Sequence, residues 1–305
     1  IKVFVINKIS ENQMSFLEIK NSSNNTKAII SLDEGGRLQE LKFDGISVIK
    51  DQMSQKYEDT FASSILFPFA NRIKNGYYFF NDEEHQFNCN ESGNKNALHG
   101  LVYNKKFEVI QQELHTNSGA VTLLYQEKEK SRGFPFFYDI CIKYTLEEHK
   151  ITVSIEINNT DKQSFPFTLG WHPYFVSTDL HNSFLHFNSV QKIQFDHNLI
   201  TDKIIDFEEE TPYQIKANQL DDCYILRDNS IELSTPLYRV VLDTNTKENY
   251  LQLYTPPNRQ VIAIEPMTGI SDSFNNKKGL QILEPNEGYE VRWNLSFSKT
   301  VSENE

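Results

Sequence analysis

The chain has 305 residues, a length that suits about two ordinary domains or one large all-β unit. Its apolar content is a modest 38%, but 22 Phe and 14 Tyr offer much buriable area per residue, which excludes wholesale disorder. Thirty Lys and Arg against 42 Asp and Glu leave a net charge of −12, which repels phosphate backbones and anionic lipid and so excludes nucleic acid and membrane surfaces as expected partners.

The richest apolar stretch, Phe165 to Phe175, is interrupted by Pro166, His172 and Pro173 and falls short of the roughly 18 residues of a membrane helix. Cys89, Cys141 and Cys223 are far apart and lack any C-x-x-C spacing. They read as buried or half-buried thiols in reducing surroundings, and the expected location is cytoplasmic. No signal-peptide pattern follows Ile1, yet a chain without an initiator Met leaves export open.

In chain order, the stretch around 50–64 offers a short helix without a sustained 3.6-residue stripe. KKFEVIQQ at 105–112 and AVTLLYQ at 120–126 then read as strands. DICIKYTL at 139–146 alternates Ile140, Ile142, Tyr144 and Leu146 with polar residues, and ITVSIEI at 151–157 does the same through Ile151, Val153, Ile155 and Ile157. This period of two is a strand with one wet face. KIQF at 192–195 is another candidate, 216–221 offers a second short helix, and YRVVLDT, YLQLYT and VIAIE follow as strands at 238–244, 250–255 and 261–265. YEVRWNLSF at 289–297 closes the series with Tyr289, Val291, Trp293, Leu295 and Phe297 on one side. Clusters such as NSSNNT, DEGG, NESGN, TPPN, NNKKG and EPNEG separate these runs with residues that favour turns. Strand, turn, strand predicts an all-β antiparallel sandwich, and the absence of a linker or a fixed repeat predicts a single domain over 1–305.

Nucleotide-binding glycine loops, H-E-x-x-H and G-x-S-x-G are absent, which removes the usual nucleotide, zinc-protease and serine-hydrolase signals. Four polar islands remain inside apolar sequence: Arg72 in FPFANRIKNG, His99 in NALHG, His172 in TLGWHPYF and Glu265 in VIAIEPMTGISDSFN. Pro173 and Pro266 hold His172 and Glu265 in extended geometry, which restricts where their side chains point. In VIAIE, Glu265 shares a face with Ala263 and Val261, and the small neighbour leaves room beside the carboxylate. Bland alternatives stay open on spacing alone. A histidine in aromatic sequence is commonly a hydrogen-bonded core residue, Glu284-Pro285 repeats Glu-Pro at an ordinary turn, and Arg72 could pair with a surface carboxylate. His85, His115, His149, His181, His186 and His197 read as solvated or structural.

Taken together and in order, N-R-I-x-x-G, L-H-G, H-P-Y-F and E-P-x-T resemble the aldose 1-epimerases, the galactose mutarotases, from about residue 60 to 297. The resemblance implies a large antiparallel β-supersandwich with a sugar cleft on one sheet, an aldose as small-molecule partner, and no cofactor or metal. It places general acid chemistry on His172 and general base chemistry on Glu265, and hydroxyl binding on Arg72 and His99. A further family aspartate meets L-D-D-C-Y here, where Asp221 fits by its offset to Tyr224 and Asp222 is the alternative. Assembly as a monomer or weak homodimer is expected. Leu101 departs from the glycine that often follows L-H-G, and the tryptophan-rich motifs of the phosphosugar branch are missing. With a charge of −12, an unphosphorylated sugar is the expected substrate.

Anomer exchange opens a cyclic hemiacetal, so the reading calls for an ionised Glu265 and a protonated His172 on opposite sides of the breaking C–O bond. Trp171, Tyr174 or Phe69 would cover an apolar sugar face. Two other readings compete. An inverting glycosidase would pair Glu265 with Asp221 about 6.5–9.5 Å apart. A non-catalytic sugar-binding protein on the same scaffold would bind without reaction.

Overall fold

A computed structural model describes residues 4–51, 55–208, 210–247 and 249–300. Two large sheets dominate, and every strand pairing within them is antiparallel. The nine-stranded sheet runs Glu108–Leu114, Ser118–Gln126, Tyr138–Glu147, Lys150–Asn159, Gly288–Lys299, Tyr238–Thr244, Ser230–Ser234, Phe184–His186 and Tyr213–Gln214. Its central strands behave as their alternation demands. Ile142, Ile155 and Val291 lie side by side in register and are fully buried, while Lys143, Ser154 and Arg292 form the neighbouring row on the wetter face.

The second sheet has thirteen strands. It begins with five consecutive strands, Phe4–Glu11, Met14–Asn21, Thr26–Ser31, Leu38–Phe43 and Ile46–Lys50. It continues through Tyr174–Val176, Val261–Met267, Tyr250–Tyr254, Asp221–Leu226, Ser189–Phe195 and Thr201–Asp206, with the two-residue strands Gly170–Trp171 and Ile65–Leu66 attached beside Val261–Met267. Side chains from both sheets merge into one apolar core. Phe43 stacks on Phe297 at 5.0 Å and Trp171 on Trp293 at 5.9 Å, while the Tyr144 hydroxyl crosses the core to donate to Gly36 O at 2.8 Å. Each fully buried aliphatic or aromatic side chain contributes about 1.5–3 kcal/mol, so this shared layer is the main source of stability.

Each strand expected between 105 and 297 is present. The helix expected around 50–64 is a single turn, Tyr57–Thr60, ended by Phe61 in left-handed geometry; residues 52–54 lie outside the described residues. The helix expected at 216–221 does not form. Lys216 has a φ of 53°, which no α-helix accommodates, and Asp221 opens a strand paired with Tyr254. The cysteines also depart from expectation in one case: Cys223 is buried and Cys141 half-buried, but Cys89 is exposed. No helix among the described residues is long and apolar enough to cross a membrane.

Candidate active site

The centre of the thirteen-stranded sheet carries the polar cluster. In Val261–Met267 the two faces separate as the alternation requires: Ile262 and Ile264 join the main core, whereas Val261 and Ala263 pack with Ala62 and Tyr174 on the opposite side. Glu265 projects from that second face, beside Gln252 in the cross-strand register. Its neighbouring strand is interrupted at His172. Trp171 pairs with Ile65 and Tyr174 with Ala263, and in the gap the His172 amide donates to Ser64 O at 3.1 Å while its carbonyl accepts from Ser63 N at 2.8 Å. With both backbone groups bound and Pro173 following, the imidazole is aimed by the fold.

Arg72 sits on the short strand Arg72–Ile73, opposite Leu98 of Ala97–Leu98. His99 follows directly, at a φ of 59°, with its amide donating to Asn71 O at 2.9 Å. Gly100 then has a φ of 77°, and a Cβ there would fall 2.2 Å from Phe67 O, so only glycine permits the chain to pass. Leu101 is accommodated, with its amide donating to Phe67 O at 2.7 Å. Asp221 comes from the strand edge opposite Tyr254.

All five side chains, together with Asn71, Gln252, Tyr174, Tyr254, Phe61, Asp59 and Leu199, line one cavity of about 280 Å³. This lies just under the roughly 300 Å³ at which drug-sized ligands begin to fit, and suits a monosaccharide. His172 Nε2 is 3.3 Å from Glu265 Oε1. The His99 ring stands edge-on to His172 at 5.1 Å and is backed by Phe61 at 4.9 Å. A chain of hydrogen bonds holds the opposite wall: Arg72 Nη1 donates to Asn71 Oδ1 at 3.1 Å, Asn71 Nδ2 to Gln252 Oε1 at 3.2 Å, and Gln252 Nε2 to Asp221 Oδ1 at 2.9 Å. Asp222 points elsewhere and pairs with Lys192 at 2.6 Å.

Burial controls the electrostatics. It pushes the His172 imidazole down to about 4, and pushes the Glu265 carboxyl well above the usual carboxylate range, with the Asp221 charge adding and Arg72 opposing. In the free protein both shifts run against a protonated His172 facing an ionised Glu265. The two groups also touch one another, where the sequence reading had placed them across a C–O bond. Burial, then the charges of His172 and Arg72, hold His99 well below the ordinary imidazole value. Asp221 is exposed and marks the cavity mouth; partial desolvation, then Asp222 and Glu91, raise its pKa against Arg72.

Three buried atoms at this site, His99 Nδ1, His172 Nδ1 and Glu265 Oε2, have no hydrogen-bond partner among the described residues. Such atoms are costly unless something else satisfies them, which points to a polyhydroxylated ligand. Of the aromatics expected to cover a sugar, only Tyr174 lines the cavity. Trp171 is stacked on Trp293 and Phe69 packs on Phe87 at 4.9 Å, both in the main core. Sequence reasoning missed Gln252 and Glu91. Gln252 interrupts the apolar run YLQLY much as Glu265 interrupts VIAIE, a usable signal, whereas nothing in the turn-rich NESGN marks Glu91. No three His, Cys, Asp or Glu side chains among the described residues are grouped to hold a metal ion.

Comparisons with known proteins identify the family and the fold. Residues 15–296 match the family model for aldose 1-epimerase. The chain is 26% identical over 274 residues to the uncharacterized protein YihR of Escherichia coli (strain K12), covering 86% of this chain and 87% of that one. In fold it is similar to a galactose mutarotase-like protein from Clostridium acetobutylicum, with a TM-score of 0.88 at 19% identity and coverage of 98% and 100%. It is also similar to galactose 1-epimerase from Lactobacillus acidophilus NCFM, with a TM-score of 0.79 at 16% identity and the same coverage. At those identities the solved structures speak for a galactose mutarotase-like fold, and the match of the family model over most of the sequence carries the assignment: the chain belongs to the aldose 1-epimerase family.

Proposed function

We propose that this protein interconverts the α and β anomers of an unphosphorylated aldose, with His172 and Glu265 as its acid–base pair. The observation that carries the reading is their 3.3 Å contact on the wall of a sugar-sized cavity. Opening a hemiacetal removes the O1 proton and adds one to the ring oxygen, and both oxygens are borne by C1. Two groups in contact match two oxygens on one carbon. Glu265 takes the O1 proton and His172 Nε2 gives one to the ring oxygen; the bond from C1 to the ring oxygen breaks as the C1=O1 double bond forms. Rotation about C1–C2 followed by the reverse transfers closes the ring on the other face. Positioned acid and base groups contribute about 10²–10⁴-fold each.

The pair needs one proton, and burial favours its neutral form, with the carboxyl protonated, when the site is free. Moving that proton across the contact gives the imidazolium–carboxylate form that reacts. Sugar hydroxyls bound to Glu265 Oε2 and His172 Nδ1 favour that form, because each satisfies an atom that otherwise lacks a partner. Arg72, His99 and Asp221 bind the remaining hydroxyls, and Tyr174 flanks the ring.

Polarimetry of freshly dissolved α-glucose, galactose, xylose and arabinose tests the reading. The expected result is a faster approach to equilibrium rotation than in buffer, with no reducing sugar released from an aryl glycoside. Release of sugar without faster mutarotation would favour a glycosidase, and binding with an unchanged rotation rate would favour a non-catalytic protein.

A further inference from the structure

Glu91 precedes a turn at Ser92 and Gly93, yet its side chain is only 8% exposed and meets Arg72 behind the cavity wall. Its Oε1 accepts from Arg72 Nε at 2.7 Å, and its Oε2 accepts from Asn96 Nδ2 at 2.8 Å. Asn96 Nδ2 also donates to Asn198 O at 3.0 Å, next to Leu199 of the cavity wall. With Nε held by Glu91 and Nη1 by Asn71, Arg72 keeps Nη2 free of partners among the described residues. The guanidinium is thus clamped on two corners and presents its remaining edge to the cavity.

The charges matter as much as the geometry. Arg72 is the one cation among the side chains lining this cavity, which also carries the carboxylates of Asp59 and Asp221. Burial disfavours the charged forms of His172, Glu265 and His99. A carboxylate paired with Arg72 cancels its charge while leaving its N–H donors in place.

We propose that Glu91 sets the charge class of sugar this cavity accepts. It turns Arg72 from an anion receptor into a directional donor for neutral hydroxyls, so aldoses bearing a carboxylate, sulfonate or phosphate are disfavoured. This rests on the sugar-binding reading above and deepens it. Glu91 touches Arg72 and not the sugar, which makes it a positioning residue.

The test compares dissociation constants of D-galactose and D-galacturonate by calorimetry, with polarimetry on the same samples and circular dichroism to verify folding. Glu91→Gln keeps the shape and the acceptor but removes the charge. It is expected to shift the preference toward galacturonate by about tenfold, the scale of a like-charge penalty relieved at a partly screened site. Arg72→Gln is expected to shift it the opposite way. Glu91→Asp keeps the charge and loses reach, so both sugars weaken while their ratio holds. If Glu91→Gln does not fold, the contrast between the other two carries the test: the ratio moves away from galacturonate in Arg72→Gln and holds in Glu91→Asp, and a ratio that moves in Glu91→Asp or holds in Arg72→Gln overturns the assignment. A ratio that stays fixed in both Gln variants, or moves the same way in both, overturns the assignment even where mutarotation is normal. Shifted ratios in a protein that leaves rotation rates untouched uphold the charge assignment and overturn the mutarotase reading. Wild-type protein that binds neither sugar overturns both.

Discussion

The centres of the two sheets are built to different rules. In the nine-stranded sheet, Tyr138–Glu147 and Lys150–Asn159 alternate between buried and half-exposed residues nearly without a break. In the thirteen-stranded sheet, every residue of Val261–Met267 is buried. One face of that strand meets the core, and the other meets the cavity, whose walls come from the Asp59–Phe61 and Leu98–His99 segments and from His172. A wet face lets water satisfy polar side chains. A covered face does not, and there the unpartnered atoms of Glu265, His172 and His99 accumulate. A regular alternation thus marks strands with one wet face, and unpartnered polar atoms mark the strand that is buried on both sides.

This contrast is open to direct attack. Glu265→Gln and His172→Asn are expected to lower kcat for mutarotation by about 10²–10⁴-fold each. Thermal stability should barely change for Glu265→Gln, because an amide replaces a carboxyl that burial already keeps neutral. Wild-type rates in both variants, with folding intact, would remove the pair from the mechanism. The reciprocal change is Ile155→Ala in the regular sheet. It should cost about 2–5 kcal/mol in denaturant unfolding through the cavity it leaves, with kcat unchanged below the melting temperature.

A pH profile sharpens the comparison on the chemical side. Activity needs one proton on the pair. On the acid side it should fall as His172 gains a second proton, with a limb near 4 that is set by burial. On the alkaline side it should fall as Glu265 loses its proton, at a pH well above the usual carboxylate range. Rates measured between pH 3 and 10 that show no acid limb, or an alkaline limb at an ordinary carboxylate value, would contradict the one-proton pair. The smallest effect is expected from Thr152→Ala on the wetter face of the regular sheet. Its hydroxyl donates to Asn294 Oδ1 at 2.9 Å, and the loss should be about 1 kcal/mol or less, read as a shift in the denaturation midpoint.

Much of this was legible in the residues. Alternation at 139–146, 151–157 and 289–297 marked the regular sheet, because a half-wet strand writes its period into its composition. The order of four short motifs marked the family, and through that resemblance the sequence singled out His172 and Glu265, which spacing alone did not separate from ordinary core or turn residues. The false helix at 216–221 and the misjudged Trp171 and Phe69 share a cause. Which way a short irregular segment turns depends on the elements packed over it, and local propensity carries no such information. Glu91 was invisible for the same reason, since a carboxylate beside a turn is ordinary until an arginine 19 residues away in sequence is found 2.7 Å from it.

By itself the sequence determined an all-β chain, its main strands, its net negative charge and the family to which it belongs. Only the tertiary structure decided that His172 and Glu265 touch, that burial disfavours the charged form of each, that Asp221 and not Asp222 faces the cavity, and that Glu91 backs Arg72. The physical reason is range. Periodicity and proline act over a few neighbouring residues, whereas desolvation and ion pairing are set by groups that lie apart in sequence and are brought together only by the fold.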